Sequence, residues 1–408
     1  MTRKFPLSAS AAMLSLLIGA LSPSQAAAQA PKPAPSVPTY CALVKNPAAR
    51  KTCFTAREQY NSRQFRAALV TMRKALAQAP DESVLRALSA YIMIALGDQG
   101  AAENELRQAR KDGASDSIVL PALLPLMISR HEESLLLTEF AEPAPGAKGD
   151  LAAEILFGRA KAFLSLDRLP EAAAAIDRSL VIRRDAAGLV VRAEIANRQN
   201  DKVLAAKLID EAYRLEPKSG PVTLAKLRQI QSSGDTAKIL AFTQQMLPAF
   251  PTAIELRTAR IEAYLKLKQD SQAKTEVAAL LAQLPNSNFG KYYTALLMAR
   301  ASNKAAAWQI MQAIPVQFVK QNPSVAIPMA QLAAETGHMD RGGLILGNAL
   351  SADPNSVDIR VQLADFRMAQ NMPQSALLTL APVKDANDPR VKKLLSSAQA
   401  KIAKDRAF

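Results

Sequence analysis

Apolar positions along this chain are carried mostly by alanine and leucine, and alternating runs of Val, Ile and Thr are few. Aromatic residues make up only 5% of the sequence. Alanine loses the least free energy on entering a helix, so packed helices are expected and sheets are not. Three prolines set the register: the steps from Pro217 to Pro251 and from Pro251 to Pro285 are both 34 residues. Each proline suits the first turn of a helix and cannot continue the one before it. Twelve residues ahead of them stand Ala205, Ile239 and Ala273. Followed outwards, that slot reads Ala68, Ala102, Ala172, Ala205, Ile239, Ala273, Ala307, Gly342 and Ala376. A second ladder runs through Ala56, Ala90, Ala160, Ala193, Ala295, Ala330 and Ala364. Small side chains at a fixed phase let two crossing helices bring their backbones close, and the larger Ile239 predicts a looser or tilted unit. Turn signals fall between the ladders at Gly97-Asp98, Asn200-Asp201, Gly234-Asp235 and Gly337-His338.

Thirty-four residues is the length of the tetratricopeptide helix-turn-helix unit. Several slots held in one phase specify the fold class: all-α, a tetratricopeptide solenoid wound as a right-handed superhelix of about nine to ten repeats. Because each unit of a solenoid touches only its neighbours, 408 residues need not imply two or three domains. Residues 49–141 read as N-terminal units, of which the third is degenerate, because the ladder misses a step between Ala102 and Ala172. In the string LPALLPL, Pro121 and Pro125 should not both sit comfortably inside one helix, so Pro125 is expected to kink it or to mark a late start. Residues 142–150, EPAPGAKGD, form a Pro/Gly loop and the best internal boundary, with the main array at 151–388. A final helix at 389–408, carrying Lys392, Lys393, Lys401, Lys404 and Arg406, suits a polar-faced cap.

The N-terminus changes the setting. Residues 1–28 read as an export signal: Arg3 and Lys4, an apolar run from Ala11 to Leu21, and a small-residue cleavage pattern at Ala26-Ala27-Ala28. The run is shorter than the roughly 20 residues needed to span a bilayer, so cleavage near Ala28, no transmembrane segment in the mature chain, and a periplasmic location are expected. Residues 29–48 are a proline-rich linker that contains Cys41. Cys41 and Cys53 are the only cysteines, and in an oxidising compartment such a pair is expected to form a disulfide that staples the incoming chain to the first helix. The formal charge is +15, or +13 once Arg3 and Lys4 leave with the signal. Outside the cytoplasm that balance favours acidic polysaccharide, lipopolysaccharide or phospholipid head groups over nucleic acid.

Candidate chemistry is sparse. His131 and His338 are the only histidines. His131 has no second histidine at metal-protease spacing, and neither a nucleophile elbow nor a phosphate-cradling loop is present. Gly342, Gly343 and Gly347 fall with the packing ladder, and Trp308, next to Ala307, reads as core. No enzyme, cofactor or metal is expected. What remains is a surface. First helices of such units line the concave side, and the assigned phase displays Arg57, Tyr60, Tyr91, Lys161, Glu194, Asn197, Arg228, Glu262, Tyr292 and Asp365 there. Basic and aromatic groups on a concave strip would hold an acidic peptide or stack on sugar rings. The lysine-and-asparagine clamp of chaperone-binding tetratricopeptide proteins is not recognisable.

From about Val119 to Val383 the order of LPALLPL, the Pro/Gly loop, FGRAKAFLSLDRLPEAAAAIDRSL, GKYYTALLMA and PQSALLTLAP resembles the PrsT-type tetratricopeptide proteins of PEP-CTERM and exosortase systems. The resemblance implies a non-catalytic role in exopolysaccharide production and protein sorting at the cell envelope. Two readings of function follow: an exported scaffold for protein partners in envelope assembly or exopolysaccharide export, or a periplasmic carbohydrate-binding groove that guides an anionic polysaccharide.

Overall fold

Helices paired at a 34-residue period need a turn that reverses the chain within two or three residues. A computed structural model, which describes residues 39–406, has twenty-two α-helices and, among the described residues, no strand. The expected signal segment and the linker up to Pro38 lie outside the described residues. Two compact units account for the packing, Ala30–Gln229 and Ile230–Phe408. The first opens with a 3-10 turn at Thr39–Leu43. There follow α1 (Pro47–Asn61) with α2 (Phe65–Gln78), α3 (Ser83–Leu96) with α4 (Gln99–Lys111), and α5 (Asp116–Ser129) with α6 (Glu133–Glu139). Next come α7 (Asp150–Ser165) with α8 (Leu169–Ile182), α9 (Ala186–Arg198) with α10 (Lys202–Leu215), and the greater part of α11 (Gly220–Ser232). The second unit takes up the end of α11 and continues with α12 (Thr236–Met246), α13 (Ile254–Lys266), α14 (Asp270–Gln283), α15 (Asn288–Arg300) and α16 (Lys304–Met311). It ends with α17 (Val316–Gln321), α18 (Ala326–Glu335), α19 (Met339–Ala352), α20 (Val357–Ala369), α21 (Pro373–Leu380) and α22 (Pro389–Arg406).

The reversal rests on one residue per turn. Arg63, Gly97, His131, Asp167, Asn200, Gly234, Lys268, Ser302, Gly337 and Asn371 all have positive φ, between 57° and 85°. They stand 33 to 36 residues apart, so ten turns repeat one left-handed backbone step, and the repeat count agrees with that read from the ladders. The next residue often closes the turn as an N-cap. Asp98, Asp201, Asp235 and Asn303 accept backbone N–H bonds from Ala101, Leu204, Lys238 and Ala306. At the same position His338 makes no cap bond, and its ring instead lies 5.0 Å from that of Trp308.

Every residue of both ladders is buried, Ile239 included. A Cβ on Gly342 would lie 2.4 Å from Phe366 Cε1 and 3.0 Å from the carbonyl oxygen of Ala330. Members of the two ladders therefore meet across α18 and α19 at a separation that only glycine permits there. Where the second ladder lacks a small residue, between Ala193 and Ala295, Leu227 and Ile261 fill the slot and are buried. The division between the two compact units falls inside α11, the helix before Ile239.

Three departures from the pattern have local causes. Pro121 and Pro125 both lie within α5, which begins at Asp116, so Pro125 does not mark a late start. Pro121 leaves the Ser117 carbonyl without its N–H four residues on, and the hydroxyl of Tyr40 donates to that oxygen at 3.3 Å. The hydroxyl of Tyr91 donates to the neighbouring Ile118 carbonyl at 2.9 Å. In this unit α6 has only seven residues. Its C-terminal carbonyls are closed by Arg159 on α7, whose Nη1 donates to Leu137 O (2.9 Å) and Phe140 O (2.7 Å). Arg178 holds the following Pro/Gly loop through Pro143 O, Ala144 O and the carboxylate of Glu142. The third departure lies beyond what the ladders reveal: α16 stops at Met311, and Pro315 caps an additional short helix, α17.

At the ends, Cys41 and Cys53 are disulfide-bonded with Cα atoms 5.7 Å apart, tying the 3-10 turn to α1. On α22, Val391 and Ala398 are buried while Lys392, Lys393 and Lys404 are exposed. Arg390 secures the start of that helix by ion pairs to Asp358 (2.5 Å) and Asp388 (2.6 Å).

Candidate binding face

A first-helix side chain is available to a partner only where packing leaves it uncovered. In the unit that begins at Ala30, Asn197 on α9 and Arg228 on α11 are exposed. Lys161 on α7 is half-buried, with its ammonium 5.7 Å from the ring of Phe157. Arg57 on α1 is also half-buried, its guanidinium 4.9 Å over Phe54, an attraction between a cation and the negative face of a ring. Glu194 lies 3.8 Å from Arg198 one turn on.

The three tyrosines are not displayed. Tyr60, Tyr91 and Tyr292 are 4%, 2% and 6% exposed. Tyr60 packs edge-on against Phe65, with centroids 5.2 Å apart, and burial pushes its hydroxyl up to about 12. Tyr91 is held by its bond to Ile118 O, and burial raises its hydroxyl further, aided by the nearby Tyr40, Glu154 and Tyr60. Tyr292 stacks edge-on against Tyr293 at 5.0 Å. Their large apolar rings contribute more by filling gaps between helices than by facing solvent. Slot counting cannot distinguish the two orientations.

In the second unit the structure joins two of the named residues through a third that the sequence did not single out. Tyr293 donates its hydroxyl to Glu262 Oε1 at 2.7 Å, bridging α15 and α13. Desolvation raises the Glu262 carboxyl above its ordinary range, while the Tyr293 bond and Lys266 act the other way. Tyr292 shares this environment and has its own hydroxyl raised, by burial first and by Glu262 second. Asp365 on α20 is raised by burial and opposed by Lys393 of α22. A shallow hollow of about 310 Å³ lies among α8, α9 and α10, with Leu180, Val181, Leu204 and Leu208 between Arg184 and Arg192. Both arginines are already engaged, Arg192 with Asp177 at 2.7 Å and Arg184 with both oxygens of Glu211. The described residues contain no cluster of three or more His, Cys, Asp or Glu side chains suited to a metal. No described helix is long and apolar enough to cross a membrane.

Residues 333–398 match the model of the tetratricopeptide repeat family. The chain has the tetratricopeptide fold. Among solved structures, the APC/C hetero-tetramer Cut9-Hcn1 is similar at 13% identity, over 89% of this chain and 77% of the matched one, with a TM-score of 0.50. The human IFIT1 dimer with PPP-AAAA is similar at 14% identity over 79% and 82%, again with a TM-score of 0.50. A tetratricopeptide repeat protein from Parabacteroides merdae is similar at 17% identity over 60% and 98%, with a TM-score of 0.48. At such identities the likeness is one of fold. No curated protein matches the sequence. A tetratricopeptide array of this kind is consistent with a scaffold for protein–protein interaction.

Proposed function

We propose that this tetratricopeptide chain is an exported, non-catalytic scaffold that brings protein partners together during envelope assembly or exopolysaccharide production and export. Export rests on the arrangement of residues 1–28, and the envelope role on the PrsT-like order of motifs. The observation that carries the choice of a protein scaffold over a sugar-guiding groove is the burial of Tyr60, Tyr91 and Tyr292. Stacking on a pyranose needs an open ring face, and these rings spend theirs on neighbouring helices. The positions left uncovered, Asn197 and Arg228, together with half-buried Lys161 and Glu194, are polar or charged and recur on first helices. Such positions favour polar contact along an extended protein segment.

Export and role are tested separately. Mass spectrometry of protein recovered from the producing cell should find its N-terminus near Gln29, and a phosphatase fused after Phe408 should be active outside the cytoplasm. Deleting the gene should reduce secreted polysaccharide, and a chain carrying Lys161→Ala and Arg228→Ala, with an unchanged helical spectrum, should fail to restore it. An intact N-terminus in the cytoplasmic fraction, or full secretion without the gene, would reject the proposal.

A further inference from the structure

Charge is unevenly shared along the array. Residues 39–80, the 3-10 turn and the first hairpin, contain eight basic residues and one acidic, a net of +7, against +15 for all 408 residues. Lys45, Arg50, Lys51, Arg57, Arg63, Arg66, Arg73 and Lys74 supply it, and among the described residues none of them is in an ion pair. Arg50 is engaged by the carbonyls of Val44 and Lys45, and Arg57 by Phe54. In the next two hairpins, by contrast, Arg86, Arg107, Arg110 and Arg130 each hold a carboxylate. Those arginines build the array. The first hairpin's cations are left for something else.

Their placement on α2 is regular. Ala68, Met72 and Ala75 face inward and are buried. The opposite row, Arg66, Val70, Arg73, Lys74 and Ala77, is exposed, with Val70 at 69%. Helical periodicity puts residues four, seven and eight positions apart on one side, so three cations flank one aliphatic side chain within roughly 12 Å of helix axis. A soluble polyanion would be served by the cations alone. The exposed valine at their centre favours a lipid surface, where an aliphatic group has an apolar medium to enter while flexible basic side chains reach phosphates on either side.

We propose that the outward face of α2 docks this protein on an anionic phospholipid surface, with Arg66, Arg73 and Lys74 on the headgroup phosphates and Val70 between them. The contact is peripheral and electrostatic, weakens with salt, and uses a face distinct from the first-helix residues assigned to protein partners above. It holds whether or not the scaffold reading does.

The test is flotation with vesicles of phosphatidylcholine, with and without phosphatidylglycerol, using the full chain and the same chain lacking residues 1–28, which leaves every described residue in place. Both should float with phosphatidylglycerol vesicles, and the shorter chain should stay behind with phosphatidylcholine alone. In the shorter chain, Arg66→Gln/Arg73→Gln/Lys74→Gln should lower partitioning about a hundredfold, roughly fivefold per cation. Val70→Ser should lower it less and leave its salt dependence unchanged. Lys392→Gln/Lys393→Gln, which removes exposed cations from α22, should leave it unaltered. The proposal is overturned if the triple variant floats like the parent, if the α22 variant loses as much, or if the chain binds soluble polyuronate and ignores phosphatidylglycerol.

Discussion

The ten left-handed turn residues allow backbone strain to be measured almost free of packing. Gly234 has φ 71°, and a Cβ placed on it would meet no heavy atom within 4 Å. Alanine there encounters only its own backbone. The left-handed region costs a residue with a Cβ about 1–2 kcal/mol, while the stiffer unfolded chain returns about 0.4–1 kcal/mol. Gly234→Ala should therefore destabilise its turn by about 0.5–1 kcal/mol. Lys268 holds the equivalent step at φ 57° and is exposed, so Lys268→Gly should gain a similar amount. A repeat array need not unfold in one step, so native-state amide exchange is the appropriate assay. Exchange in α12 should quicken about two- to fivefold in the alanine variant, and exchange in α14 should slow by a similar factor in the glycine variant. Unchanged exchange on Gly234→Ala, or faster exchange on Lys268→Gly, would show that the turns are set by packing rather than by the left-handed step.

Gly342→Ala works by the other mechanism: the new methyl would lie 2.4 Å from Phe366 Cε1 and 3.0 Å from Ala330 O. Overpacking of this kind costs about 1–3 kcal/mol, so its melting temperature should fall more than that of Gly234→Ala, and equal losses would count against the close approach. Burial raises the Glu262 carboxyl in the folded state, so the native chain binds that proton more tightly than the unfolded one. The resulting stability is fully present below the unfolded carboxylate range and is lost as pH rises through the folded value. Glu262→Gln, whose amide oxygen can still accept from Tyr293, should leave the melting temperature unchanged at pH 4 and raise it at pH 7; a lower value at pH 7 would contradict this. Replacing Cys41 and Cys53 with serine should loosen the 3-10 turn by on the order of 2 to 3 kcal/mol, read as protease cleavage near Leu43, with helical content otherwise retained.

What could be read from the sequence was whatever repeats. The small-residue slots at Ala205, Ala273 and Ala307 recur because each hairpin meets the same close crossing, and a periodic demand leaves a periodic trace. Gly97, Asn200, Gly234 and Gly337 announced the left-handed step, but Arg63, Lys268 and Ser302 adopt it without a turn-forming identity and were invisible until the backbone was seen. Tyr60, Tyr91 and Tyr292 occupy groove slots by count yet turn inward, because the side-chain torsions of a large ring, and not only its place on the helix, decide what it touches. Pro121 sits inside α5 although a proline strands the carbonyl four residues back, which then needs a donor from elsewhere. Tyr40 supplies that donor from 77 residues away, a distance at which no local pattern operates. The short α17 did leave a signal, Pro315 and Pro323 within one repeat, but it competed with the unbroken ladder from Ala307 to Ala330.

What holds the array together differs from what is free to act. Slots that every hairpin must satisfy cannot encode a partner, because a change there alters the crossing before it alters any surface. Specificity has to reside in residues that break the period. Glu262 with Tyr293 is one such break, since the equivalent first-helix slots at Glu194 and Arg228 carry no buried hydroxyl–carboxylate pair among the described contacts. The first hairpin is a larger one: its cations lack the carboxylates that Arg86, Arg107 and Arg110 find one and two hairpins later. Unpaired exposed cations add nothing to the fold and repel one another, by an amount that salt screens over about 8 Å. The first hairpin alone should therefore become more stable as ionic strength rises, whereas pairs such as Arg107 with Glu139 weaken. Amide exchange in α2 and α4 followed between low and high salt should move in opposite directions. Parallel movement would mean that the charge excess of α2 is neutralised within the fold and is not available to a surface outside it.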